Sequence, residues 1–255
     1  MRNSQFRNGN QHVLYNQAVL NDFTDSIFNV SPDHHSVNNT DVQGRGTVVF
    51  FAHADHDMVL KHYHRGGLAG LFVKDSYLYV GASRSRMWRE YHLLGRMRDM
   101  GLPVPKPIAA RCIRSHAMCY QGDLILERIP NARTLAEVLS TESLPEKMWE
   151  SIGSVIRRFH QNKVDHADLN ACNILLTAQD QVYLIDFDKG RIHNQCEPRW
   201  RNANLSRLRR SLHKWKKREP DFNFSVTNWQ ALERGYEGAR KTSVRSNTAA
   251  TDLAR

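Results

Sequence analysis

The chain has 255 residues, 40% of them hydrophobic and 24% charged, a soluble-protein balance with length enough for a substantial core. No apolar run approaches the roughly 20 residues that a membrane-spanning helix needs, and the polar N-terminus lacks the apolar stretch of a secretory signal. With 36 basic and 26 acidic residues the formal charge is +10, which favours an anionic partner: nucleic acid, an acidic lipid surface or a phosphorylated substrate. Cys112, Cys119, Cys172 and Cys196 form no C-x-x-C pair, so neither a disulfide framework nor a zinc site is expected.

In chain order, residues 1–40 are rich in Asn, Asp and Ser and read as an irregular extension with one short helix at Gln17–Phe23. Gly44-Arg45-Gly46 then precedes Thr47–Phe51, a β-branched and aromatic strand. Ala54–Asp57 turns the chain into a returning strand that carries Lys61, and Tyr77–Val80 reads as a further strand. From Ser83 to Met100, Met87, Tyr91, Leu94 and Met97 recur at helical spacing until Gly101 stops the helix. Ile108–Ile113 and Leu124–Ile129 read as strands. Thr134 with Glu137 has capping-box spacing, and a longer helix over Pro145–Asn162 presents Trp149, Ile152, Ile156 and Phe159 to a core. Short strands follow at Ile174–Leu176 and Val182–Ile185. Strands with one helix, then mostly helix, predict a two-lobed α+β protein. The expected divisions are an extension over 1–40, an N-lobe over 41–129, a C-lobe over 130–237 and a mobile tail over 238–255.

Three segments carry chemistry. His166-Ala167-Asp168-Leu169-Asn170-Ala171-Cys172-Asn173 lies between a helix and a strand, and Asp186-Phe187-Asp188 ends the next strand. Phosphoryl transfer needs a carboxylate at the attacking hydroxyl, oxygen ligands for a divalent metal and positive charge on the nucleotide phosphates. The spacing matches the kinase signature H-x-D-x-x-x-x-N followed by D-F-G. It predicts Asp168 as catalytic base, Asn173 and Asp186 as metal ligands, and ATP with Mg2+ as cofactors. Upstream, Gly44 and Gly46 are candidates for approach to the phosphates. Lys61 is the candidate phosphate contact, oriented by Glu90, with Lys74 as its rival. Glu127 to Ile129 occupies the place of a hinge that would meet adenine.

Together with Leu60–Leu68, Pro103–Pro107 and Asp186-Phe187-Asp188-Lys189-Gly190, these segments resemble the 3-deoxy-D-manno-octulosonic acid (Kdo) kinase family, in the lipopolysaccharide kinase group of Gram-negative bacteria. The resemblance covers about Gly44 to Trp215. It implies a protein-kinase-like fold and ATP-dependent phosphorylation of the Kdo sugar, at its 4-hydroxyl, on a lipid A precursor. It also implies a peripheral position at the cytoplasmic face of the inner membrane. Asp188 replaces the glycine of D-F-G. From Arg199 to Arg218 there is no acidic residue, and Leu205, Leu208, Leu212 and Trp215 recur at helical spacing. Such a helix can rest on an anionic bilayer or grip a phosphorylated glycolipid, or pack its stripe in a core with a solvated basic face. Candidate substrate contacts are His62, Arg65, Arg209 and Arg210. The alternatives are a related kinase acting on heptose, a small molecule or protein, and a basic nucleic-acid-binding protein. No nucleic-acid motif accompanies the charge, so no nucleic-acid partner is expected.

Overall fold

The computed structural model describes residues 2–30, 48–63, 77–78, 81–116 and 119–238. Strands β1 (Asn3–Asn8), β2 (Gln11–Asn16), β3 (Val48–His53), β4 (His56–Tyr63), β5 (Tyr77–Leu78), β6 (Pro107–His116) and β7 (Cys119–Glu127) form one antiparallel sheet. Its order is β1-β2-β6-β7-β4-β3, with β5 beside β7. Helix α1 (Arg86–Asp99) covers one face and ends before Gly101, whose φ of 70° turns the chain as only glycine readily does. The alternation of β4 divides the two faces. Met58 and Leu60 pack with Val13, Ile27, Phe28 and Ile125, whereas Tyr63 joins Met87, Tyr91, Leu124 and Leu126 beneath α1.

The N-terminal segment departs from the irregular extension expected for it. β1 and β2 make a hairpin that adds to β6, Asp25–Phe28 is a single 3-10 turn, and no helix forms over Gln17–Phe23. β1 is an edge strand with five of its six residues exposed, so it shows no apolar alternation in the sequence. What fixes it is pairing with distant β6 through β2.

The second half of the chain is mostly helical. It comprises β8 (Ala132–Thr134), α2 (Leu135–Thr141), α3 (Glu146–Gln161), β9 (Val164–Asp165), β10 (Ile174–Thr177), β11 (Val182–Leu184), β12 (Arg191–Ile192), α4 (Pro198–Arg218) and α5 (Val226–Glu237). The arrangement is the expected two-lobed α+β one. Small sheets β11-β10-β8 and β12-β9 frame the loops that carry the signature residues. The Thr134 capping box is present: Glu137 N–H donates to Thr134 Oγ1 at 3.1 Å, and Thr134 N–H donates to Glu137 Oε2 at 2.7 Å. Trp149, Ile152, Ile156 and Phe159 of α3 are buried as predicted. The tail beyond residue 238 lies outside the described residues.

Helices α3 and α5 approach closely through Gly153 and Gly235. A Cβ at Gly153 would run into the Leu232 carbonyl and lie 2.7 Å from the Tyr236 amide, and one at Gly235 would strike the Glu150 backbone. Gly153→Ala is therefore expected to destabilise the protein by about 1–3 kcal/mol through overpacking, despite alanine's better helix propensity. Denaturant unfolding with an unchanged slope and a lower midpoint would register this; an unchanged or higher midpoint would contradict it.

Candidate active site

Three elements bring one cation and two carboxylates together. Lys61 projects from β4 on the same face as Tyr63, two residues on. Its Nζ lies 3.2 and 3.4 Å from the two carboxylate oxygens of Glu90 on α1, and 2.6 Å from Asp186 Oδ1 just after β11. Glu90 is only 1% exposed and both its oxygens have further partners. Oε2 accepts from the Tyr63 hydroxyl, and Oε1 accepts from the Phe187 N–H at 3.2 Å. Burial opposes charge on both Lys61 and Asp186, but their opposite charges outweigh it. Glu90 and Asp186 raise the Lys61 ammonium above its ordinary range, and Lys61 holds the Asp186 carboxyl below its own.

Asp186 has a φ of 65°, a left-handed conformation that is costly for a residue with a side chain and persists only where neighbours impose it. The next residue supplies that constraint. Phe187 is 1% exposed, with its ring centroid 4.4 Å from that of His166 and 5.7 Å from that of Phe159. On the other side, Ile185 N–H donates to the Asn173 carbonyl at 3.0 Å, and Ile185 O accepts from His166 Nε2 at 2.8 Å. Burial pushes the His166 imidazole below its usual pKa, so the ring is neutral at pH 7 and works as a brace.

The loop between β9 and β10 is cross-linked to itself. Asn173 Nδ2 and Asn170 Nδ2 both donate to the Asp168 carbonyl, at 2.9 and 3.0 Å. Asn173 uses an amide N–H this way, and its Oδ1 accepts no hydrogen bond among the described residues. The Asp168 carboxylate is exposed and makes no hydrogen bond or ion pair among the described residues. Underneath, the buried Asn204 of α4 accepts from the His166 N–H at 3.0 Å and donates to Asp165 Oδ1 at 2.8 Å, while Ser211 Oγ accepts from the Ala171 N–H at 3.2 Å. The arrangement thus offers an uncommitted base, two oxygen donors at Asn173 and Asp186, and an ammonium group beside them. No group of three or more His, Cys, Asp or Glu that could hold a metal occurs among the described residues. Two protein oxygens suit a hard divalent cation that takes its remaining ligands from phosphates and water.

Over residues 35–236 the sequence matches the family model described as the lipopolysaccharide kinase (Kdo/WaaP) family. The chain belongs to that family. A 3-deoxy-D-manno-octulosonic acid kinase of Photobacterium profundum is 42% identical over 195 residues, 76% of this chain and 81% of that relative. Its counterpart from Vibrio parahaemolyticus serotype O3:K6 is 40% identical over 224 residues, 84% of this chain and 93% of the relative. One from Haemophilus influenzae (strain 86-028NP) is 41% identical over 201 residues, 76% and 82% of the two chains. Among solved structures, WaaP in complex with acyl carrier protein is similar in fold, with a TM-score of 0.51 at 18% identity over 76% of this chain and 75% of that one.

Not every residue singled out in the sequence reaches the site of this lipopolysaccharide kinase family member. Gly44, Gly46, Arg65 and Lys74 lie outside the described residues. His62 is a correction: strand alternation turns it to the face opposite Lys61, where its Nδ1 lies 2.5 Å from Asp123, which Arg111 also binds at 2.7 Å. Arg209 lies over the Trp229 ring, 5.5 Å from its centroid, and so faces α5. Arg210 is exposed, next to Ser211. The apolar stripe of α4 is likewise not free to enter a bilayer, because Leu208 and Leu212 are fully buried and Leu205 and Trp215 pack against the core. Glu127 N–H donates to Lys106 O and Arg128 N–H to Asp57 O, both at 2.9 Å. Of the three hinge residues, Ile129 therefore keeps an N–H without a partner among the described residues. Sequence reasoning missed Tyr63, Asn204 and the pairing of Asp188 with Arg86 (Nε–Oδ1 2.7 Å) that ties the D-F-D segment to α1.

His160 buttresses this scaffold, with Nδ1 2.7 Å from the Tyr236 hydroxyl and Nε2 3.4 Å from Asn204 Oδ1. Burial lowers its pKa to about 4 from 6.5. The folded chain therefore binds fewer protons than the unfolded one between these values. The stability from His160 is whole above about pH 7, falls as pH drops through 6.5, and reaches its full loss below about pH 4. Between pH 7.5 and 5 this amounts to about 2 kcal/mol. Denaturant unfolding of parent and His160→Gln at both pH values should show a pH dependence smaller by that amount in the variant; identical dependence would contradict the reading.

Proposed function

We propose that this chain is an ATP-dependent Kdo kinase that phosphorylates the 4-hydroxyl of the Kdo sugar on a lipid A precursor in lipopolysaccharide core assembly. The observation that carries the chemistry is the convergence of Lys61, Glu90 and Asp186 beside a loop that leaves the Asp168 carboxylate uncommitted. The relatives' activity and the family membership support the acceptor.

Each residue has a part that its surroundings allow. Asp168 takes the proton from the acceptor hydroxyl as that oxygen bonds to the terminal phosphorus of ATP and the bond to ADP breaks. Lys61, kept charged by its two carboxylate partners, places positive charge on the nucleotide phosphates. Asn173 Oδ1 and Asp186 would hold Mg2+, which when bound neutralises charge on the transferring phosphoryl group. The free N–H of Ile129 is the donor for adenine, at the division we draw between an N-lobe ending at 129 and a C-lobe starting at 130.

The chain would work at the cytoplasmic face of the inner membrane. No helix among the described residues is long and apolar enough to cross a membrane. The exposed Arg199, Arg210, Lys214 and Lys217 of α4 would meet anionic headgroups by charge, without insertion of the buried stripe. Arg210 is the better placed of the two α4 candidates for the glycolipid.

Incubating the purified chain with γ-labelled ATP and the Kdo-bearing precursor should place label on the Kdo sugar. Asp168→Ala should lower kcat by about 10²-fold or more with the fold intact, the range typical of a lost general base. Label on a heptose, or none on the glycolipid, would overturn the acceptor assignment. A folded Asp168→Ala protein with near-parental turnover would overturn the base.

A further inference from the structure

A cavity of about 270 Å³ lies between α1 and residues 187–192. Arg89 and Arg96, two turns apart on one face of α1, line it from one side, and Arg191 of β12 lines it from the other. Its two acids are already engaged: Glu90 with Lys61, Tyr63 and the Phe187 N–H, and Asp188 with Arg86. The guanidinium groups of Arg89 and Arg96 make no hydrogen bond or ion pair among the described residues. Arg191 has only a 3.8 Å approach to Asp165 and is itself 64% exposed. Three exposed cations therefore line one cavity, and two of them, Arg89 and Arg96, have no counter-ion among the described residues.

We propose that this cavity is an oxyanion site for a phosphate monoester group, separate from the nucleotide phosphates at Lys61. Guanidinium forks match phosphate oxygens two at a time, and a dianion between three of them relieves their mutual repulsion. The volume exceeds that of a phosphate group several-fold, if a water takes roughly 30 Å³, which leaves room for an attached sugar. Glu90 and Phe187 form part of the same wall. An anion gripped from α1 and β12 together holds α1 against the D-F-D segment, and so favours the arrangement in which Glu90 meets Lys61. That effect on turnover rests on the kinase reading; the binding itself does not.

Calorimetric titration of the full chain with inorganic phosphate tests the site. Parent and Lys61→Met should both bind, and the Arg89→Gln/Arg96→Gln double variant, whose substituted residues are exposed and whose melting should be unchanged, should bind about tenfold or more weakly. No binding by the parent, or equal binding by the double variant, overturns the proposal. Turnover on the glycolipid with and without its lipid A phosphates, each with and without added phosphate, separates the sources. A loss on removing the lipid phosphates that is absent in the double variant identifies the glycolipid; stimulation by added phosphate identifies the free anion. Phosphate binding that depends on Arg89 and Arg96 in a chain that transfers no phosphoryl group would uphold the site and reject the function.

Discussion

The site depends on one buried carboxylate. Glu90 is held in the core by the same helical spacing that buries Met87, Tyr91, Leu94 and Met97, and it joins α1 to two other parts of the chain: Lys61 and Tyr63 on β4, and the Phe187 amide beyond β11. A carboxylate so buried is stable only with all its partners present, and removing one partner from such a pair typically costs about 3–5 kcal/mol. The bond to the Phe187 amide adds a second constraint to the ion pair. It fixes the residue after Asp186, so that the left-handed backbone at Asp186 is imposed from both sides and its carboxylate is aimed at Lys61.

The second half of the site is built by a different means. Around Asp168 amides hold the loop: Asn170, Asn173 and Asn204 tie residues 165–173 to one another and to α4. Satisfied networks of this kind hold a loop in one shape without neutralising its carboxylate. Asp168, the base we propose, thus has no cation paired with it among the described residues, while Asp186, whose carboxyl Lys61 holds below its ordinary pKa, would suit a cation. The two aspartates therefore differ in environment, as do the roles we propose for them.

Much of this was legible in the sequence because local spacing determines it. The periodic face of α1, the capping box at Thr134, the core face of α3 and the order of Asp168, Asn173 and Asp186 all follow from residues close together in the chain. What failed depended on distant partners. β1 reads as polar because it is an edge strand, and its place follows from β2 pairing with β6, about one hundred residues away. His62 looked like part of a basic loop, yet the period of β4 that turns Lys61 toward Glu90 must turn His62 away, to Asp123. The stripe of α4 suits a membrane surface or a core equally well by spacing, and the complete burial of Leu208 and Leu212 decides in favour of the core. The bond between Arg86 and Asp188 had no local signal at all; it explains how the chain does without the usual glycine of D-F-G, since the aspartate there anchors the segment to α1.

If, as we propose, Glu90 acts on the nucleotide chiefly through Lys61, a double-mutant cycle of Lys61→Met and Glu90→Gln, read in kcat/KM for ATP, will show it. Strong coupling is expected: Glu90→Gln lowers kcat/KM in the parent but does little further harm once Lys61 is gone, a coupling energy above about 1 kcal/mol. Losses that add to within about 0.5 kcal/mol would show that the two residues act independently, and would contradict it.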